Sequence, residues 1–220
     1  MILLITLLNA KASATDVFYS GGQRQDYFIQ LLNHALTYDT EKDYQLKAFG
    51  SRLPKLRDFE IMAKGHGIDV VMGGSTLERE SIARPIRFPL LKGLNGWRIP
   101  LVQTSRQDMF SSVTTMEQFK QLIPGQFHTW SDTKVLESND IFVQTGIGLY
   151  RMLDMGRFDY FPRSVLEIDG DLESHKHLDI MIEPHILIHY PTAYYYYVKK
   201  DNIELANDIR MGLEMALKDG

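Results

Sequence analysis

Residues 68–72, IDVVM, run directly into Gly73 and Gly74. A short, nearly unbroken apolar run of this kind suits a strand covered on both faces, as in a parallel sheet. The preceding residues repeat the theme. Residues 17–20 form a short apolar run that ends at Gly21 and Gly22, and Tyr27, Phe28, Leu31, Leu32, Ala35 and Leu36 then recur at helical spacing. Tyr44, Leu46 and Ala48 alternate with polar residues as in a half-buried strand. Ser51 opens a second helix with Pro54 in its first turn, Leu53, Leu56, Phe59 and Met62 on its core face, and Gly65 and Gly67 at its end. The order βαβαβ predicts a parallel sheet with right-handed crossovers.

Length and composition narrow the field. With 220 residues, 44% of them hydrophobic, the chain can bury one sizeable core or two smaller ones. Its net charge of -4 argues against nucleic acid as a partner. The absence of cysteine removes disulfide scaffolds, thiolate metal sites and cysteine nucleophiles. Residues 1–8, MILLITLL, are far too short an apolar run to span a bilayer, which takes about 20 residues. Ala12 and Ala14 flank Ser13 in the small-x-small pattern of a signal-peptidase site, so residues 1–14 read as a short export signal, cleaved before Thr15, for a periplasmic protein. The competing reading is a buried first strand.

In open parallel sheets, ligands bind beyond the carboxyl ends of the strands. Gly73 and Gly74 lead there into Ser75, Thr76, Leu77, Glu78 and Arg79. Ser75 and Glu78 have capping-box spacing, and a helix start after a glycine pair, joined by an arginine, forms an anion site. The alternative is a plain cap with a solvated Arg79. From Trp97 the pattern restarts, with an apolar segment over 97–102 and a helix over 116–123 that ends at Pro124 and Gly125. A strand into Trp130, a helix capped by Ser131 or Asp132, a strand over 141–144 and a helix over 148–155 follow. Strands over 158–161, 178–182, 186–190 and 193–198 precede a last helix over 203–217, with Leu205, Ile209, Leu213 and Leu217 on one side.

Taken in order, 67–80 (GIDVVMGGSTLERE), 86–96 (IRFPLLKGLNG), 151–161 (RMLDMGRFDYF) and the returning segment 197–220 resemble the bacterial extracellular solute-binding proteins of family 3, the amino-acid-binding type of ABC transport. The resemblance implies an α/β, two-lobed periplasmic binding protein-like (type II) fold, each lobe a mainly parallel sheet flanked by helices. Lobe 1 is then residues 15–94 with 191–220, and lobe 2 is residues 95–190, with hinges near 93–97 and 189–194. It also implies a monomeric carrier that closes on a small-molecule ligand, an amino acid or organic acid, and delivers it to ABC transporter membrane subunits. On lobe 1, Arg79 matches the arginine that pairs with the ligand carboxylate, Ser75 and Thr76 lie in the adjoining donor loop, and Tyr19 falls at the aromatic wall. On lobe 2 the ligand would meet Trp130 and Asp132. After the G-R-x-D strand, where the family's amino-acid binders present an aspartate for the ligand ammonium, this sequence has Arg163 and Ser164. A cation there repels an α-amino group and attracts a second carboxylate, unless Asp132 or Glu167 supplies the missing negative charge.

Other constellations are weaker. His175, His177, His185 and His189 surround Glu183, and H-x-H on a strand would set two rings on one face, but a closed metal site needs further ligands, so neither metal nor cofactor is expected. Tyr194, Tyr195, Tyr196 and Tyr197 read as alternately inward and outward on a ribbon between the lobes. No nucleophile with a base stands out, so the chain is not expected to be an enzyme, and Ser75 lacks the second glycine of a nucleophile elbow. A dehydratase or lyase of the same shape, using Glu78, Glu167 or His128, and a ligand-sensing signalling domain are the alternatives.

Overall fold

In a computed structural model, the structure describes residues 14–21, 26–50 and 53–220. The first half of the chain contains β1 (Ala14–Tyr19), α1 (Tyr27–Leu36), β2 (Asp43–Ala48), α2 (Lys55–Ala63), β3 (Val70–Gly74), α3 (Leu77–Ile82), β4 (Ala83–Ile86), β5 (Trp97–Gln103), α4 (Asp108–Ser111) and α5 (Met116–Phe119). The second half contains β6 (Gly125–Gln126), α6 (Ser131–Glu137), β7 (Gln144–Thr145), α7 (Leu149–Asp154), β8 (Phe161–Ser164), α8 (Ile168–Ser174), β9 (Ile180–Ile182), β10 (Ile188–His189), β11 (Tyr194–Lys199) and α9 (Ile203–Asp219). The export signal expected at residues 1–14 lies outside the described residues except for Ala14, with which β1 begins. Among the described residues no helix is long and apolar enough to cross a membrane.

The chain forms two compact units, one of Met1–Gly73, Leu77–Leu90 and Tyr195–Gly220, the other of Gly74–Thr76 and Leu91–Tyr194. The first unit carries a five-stranded sheet in the order β2-β1-β3-β11-β4. Strand β1 pairs in parallel with β2, from Ala14 against Asp43 to Tyr19 against Ala48, and in parallel with β3. The expected βαβαβ start is therefore present. All five residues of β3 are buried, as its apolar run requires.

Helix α1 is capped by Asp26, whose carboxylate accepts from the backbone of Ile29 at 3.2 Å, and it buries Ile29, Leu32, Ala35 and Leu36. The stripe is rotated from the expected one, and Tyr27 is exposed. Helix α9 packs against α1 through a face that includes small residues, and the last apolar position of its expected stripe, Leu217, lies exposed. A Cβ on Gly212 would stand 1.9 Å from the carbonyl oxygen of Ala35, so the helices approach as closely as they do because position 212 has no side chain.

The tyrosine run departs from expectation. Strand β11 lies inside the first unit's sheet between β3 and β4. Tyr196 and Tyr197 are both fully buried, because a strand inside a covered sheet has no solvent face on which to place alternate residues. Tyr197 meets Phe59 edge-to-face at 5.0 Å, and Tyr196 donates its hydroxyl proton to the carbonyl of Phe28.

In the second unit the main sheet has the order β10-β5-β8, with β9 also on β5, and all of these pairings are antiparallel. Among the described residues of this unit, parallel pairing is seen between β6 and β7 and in a bridge between Pro124 and Tyr160. A mainly parallel sheet was the wrong expectation here, because β8, β9 and β10 run back along β5 over different stretches of it. The core lies in two clusters, one around Phe110, Leu136 and Tyr160, the other around Leu101, Leu153 and Phe161. A Cβ on Gly96, just before β5, would stand 2.1 Å from the carbonyl oxygen of Tyr190.

Candidate functional site

In the first unit, β1 and β3 lie side by side, and the chain leaves β1 where Tyr19 pairs with Val70. Tyr19 itself is buried, and its carbonyl accepts from the backbone of Phe49 at 2.9 Å. The next residue, Ser20, is fully buried, and its hydroxyl has no hydrogen-bond partner among the described residues. Composition and spacing gave no sign of it, since a serine after a strand is ordinary in sequence. Its orphaned hydroxyl is a product of burial.

Arg79 lies in α3 with its guanidinium carbon 5.4 Å from the centre of the Phe59 ring, within cation–π range. A Cβ on Gly73 would be 3.5 Å from Arg79 Nη1, which places the guanidinium beside the end of β3. Ser75 and Thr76 belong to the other unit, where the backbone N–H of Ser75 donates to Ala193 at 2.8 Å. Helix α3 begins at Leu77, so Thr76, rather than Ser75, immediately precedes it.

In the second unit, Trp130 is the N-cap of α6 and makes no side-chain cap, in place of the expected Ser131 or Asp132. Its ring stands 6.2 Å from Phe161 at an interplanar angle of 14° and is partly exposed. Asp132 is already engaged. Arg98 reaches its Oδ1 at 2.7 Å, and the Tyr190 hydroxyl donates to the same oxygen while accepting from Arg98 Nε at 3.0 Å. Burial first, and then the charge of Asp132, push the Tyr190 hydroxyl above its ordinary pKa.

Arg163, in β8, does not present a bare cation. Its Nε donates to Asp171 at 2.6 Å and its Nη2 to Glu167 at 2.9 Å. Three rings stand around the guanidinium carbon, Phe161 at 5.0 Å, Trp130 at 5.5 Å and Tyr150 at 5.9 Å. Burial opposes the charge, but the hydrogen bond to Asp171 and the neighbouring negative groups more than offset it, and the pKa is raised. Ser164 is buried beside it and accepts from the backbone of Leu166 at 3.3 Å.

Sequence reasoning missed Asp171, Tyr150 and Phe161 as neighbours of Arg163. One signal was present, because Arg163, Glu167 and Asp171 follow at intervals of four. His175 and His177 lie in the turn after α8 and not on a strand, and His175 stacks on Tyr150 at 3.7 Å. Among the described residues no group of three or more His, Asp and Glu stands where it could hold a metal ion. Cavities of about 270 Å³ beside Lys42 and Tyr44 and about 380 Å³ beside Asp169 and His175 are lined by none of the expected ligand residues.

Comparison of the fold with solved structures gives consistent neighbours. An ancestral arginine-binding protein bound to arginine matches with a TM-score of 0.60 and 18% identity over 94% of this chain and 93% of its own. The substrate-binding protein of an amino acid ABC transporter matches with 0.61 and 12% over 94% and 95%. A histidine kinase sensor domain with similarity to periplasmic binding proteins matches with 0.65 and 12% over 93% and 91%. No protein-family model and no curated protein matches the chain. At these identities the likeness is one of fold. The α/β, periplasmic binding protein-like architecture implied by the sequence resemblance is that fold.

Proposed function

We propose that the chain is a periplasmic solute-binding protein that captures a small carboxylate-bearing ligand, an amino acid or organic acid. The observation that carries this reading is the likeness of fold, over more than nine-tenths of the chain, to proteins described as arginine-binding and amino-acid-transporting. In this reading Arg79 pairs with the ligand carboxylate, Ser75 and Thr76 supply further donors, and Tyr19 supplies an aromatic wall. Trp130 and the Arg163 cluster form the recognition surface of the second unit, and capture proceeds by closure of the two units on the ligand.

The cluster modifies what that surface attracts. One guanidinium between two carboxylates carries a net negative charge, so the repulsion of an α-ammonium expected from Arg163 alone is removed. Glu167, with more than half of its side chain exposed, is the carboxylate open to a ligand, whereas Asp132 is held by Arg98. An amino acid is thus favoured over a dicarboxylate.

Delivery to ABC transporter membrane subunits and a role as a sensor input both use such capture, and the sensor reading is favoured by the histidine kinase sensor domain among the neighbours. A thermal-shift screen of amino acids, dicarboxylates, polyamines and small sugars tests the proposal. Ligand at about 100 times its dissociation constant stabilises by ~2.7 kcal/mol. A screen without a hit sinks the binding reading, and a ligand consumed with time makes the chain an enzyme.

A further inference from the structure

Arg163 sits in surroundings that match a free guanidinium group in every respect. A planar cation with a fork of N–H donors is best held by carboxylates along its edge and aromatic rings near its faces. Asp171 and Glu167 occupy the edge at 2.6 and 2.9 Å, and Phe161, Trp130 and Tyr150 stand within 6 Å of the guanidinium carbon. The rings differ in depth, Phe161 being 1% exposed and Trp130 37% exposed, so the box is open along the Trp130 ring. A small solute could therefore enter if the arginine side chain were absent.

We infer that Arg163 is a specificity-determining residue that acts by self-occupation: it fills a guanidinium-binding box in the second unit and so denies that box to a guanidinium-bearing ligand. The inference rests on the binding role proposed above and adds to it which ligands the second unit refuses. A neutral partner such as glutamine would be a poor substitute in the box, because the two carboxylates would then lose the cation between them. The arginine is fixed for the same reason: withdrawing it would leave Asp171, only 18% exposed, beside Glu167 without compensation.

The test needs no knowledge of the natural ligand. Thermal unfolding of the full chain and of Arg163→Ala and Arg163→Lys is followed with about 10 mM methylguanidinium chloride or methylammonium chloride. For a site with a millimolar dissociation constant, the Ala variant is expected to gain about 3 °C or more with methylguanidinium and much less with methylammonium. The parent and the Lys variant, whose boxes are filled, are expected to respond to neither. Should the Ala variant not fold unaided, recovery of its folded far-ultraviolet signal with methylguanidinium, and not with methylammonium, is the same result. Equal responses of parent and Ala variant, equal effects of the two cations, or no effect of either would overturn the inference. A failed ligand screen would leave this outcome standing and refute only the binding role, so the two failures are distinguishable.

Discussion

Arg98 in β5 and Asp132 in the first turn of α6 meet at 2.7 Å, with side chains 8% and 13% exposed. This pair, completed by the Tyr190 hydroxyl, ties the sheet of the second unit to the start of the helix that Trp130 caps. Removing one member of a buried pair leaves the other charge without compensation. Asp132→Ala is expected to lower stability by about 3 kcal/mol, while Arg98→Met combined with Asp132→Leu recovers much of the loss. Urea unfolding of the three proteins checks this, and an unaltered midpoint in Asp132→Ala would show that water serves Arg98 as well.

Arg79 carries the proposed carboxylate contact. Replacing it with alanine should weaken binding by about 2 to 5 kcal/mol if the pair is desolvated on capture. Calorimetry with the ligand found in the screen measures this. Undiminished affinity would give Arg79 a structural role, to which its packing on Phe59 belongs.

Gly212 offers a test of the fold that is independent of function. Alanine is a better helix former than glycine by roughly 1 kcal/mol. Its Cβ would nonetheless fall 1.9 Å from the Ala35 carbonyl oxygen, so α1 and α9 must separate. We expect Gly212→Ala to destabilise by about 2 to 4 kcal/mol, read from chemical denaturation, and an increase in stability would contradict the packing described.

Tyr44 donates its hydroxyl proton to Asp208 at 2.5 Å, and burial together with that bond pushes its pKa up to about 12. Because the folded value lies above that of the unfolded chain, about 10, the contribution is fully present below pH ~10 and is lost as pH rises toward 12. Lys42, bonded to Asp208 and Glu204, is shifted upward as well and loses its contribution in the same direction. Stability should therefore fall between about pH 10 and 12, and in Tyr44→Phe it should fall by roughly 1 kcal/mol less. Denaturant midpoints across that range decide it, and parallel curves for the two proteins would exclude the tyrosine.

The fold of the first unit was largely legible. Its strands and helices are marked by local patterns, an apolar run or a helical stripe that ends in glycine, and β1, α1, β2, α2 and β3 follow in the order those patterns predict. The candidate site was legible in composition but not in pairing. Arg163 was visible as the residue that breaks the family pattern, yet its charge is balanced by Glu167 and Asp171, which lie beyond the strand on α8 and at its start.

By itself, then, the sequence determined that the chain starts as a parallel α/β unit and where the strands and helices of that start lie, because those properties depend on residues a few positions apart. Only the tertiary structure decided that β11 is an inner strand with Tyr196 and Tyr197 both buried, that β5 gathers antiparallel partners, and that Asp132 and Arg163 are already paired. The physical reason is that burial and charge compensation depend on groups brought together from distant parts of the chain. A carboxylate or guanidinium looks the same in sequence whether its partner will be a ligand, water or another side chain.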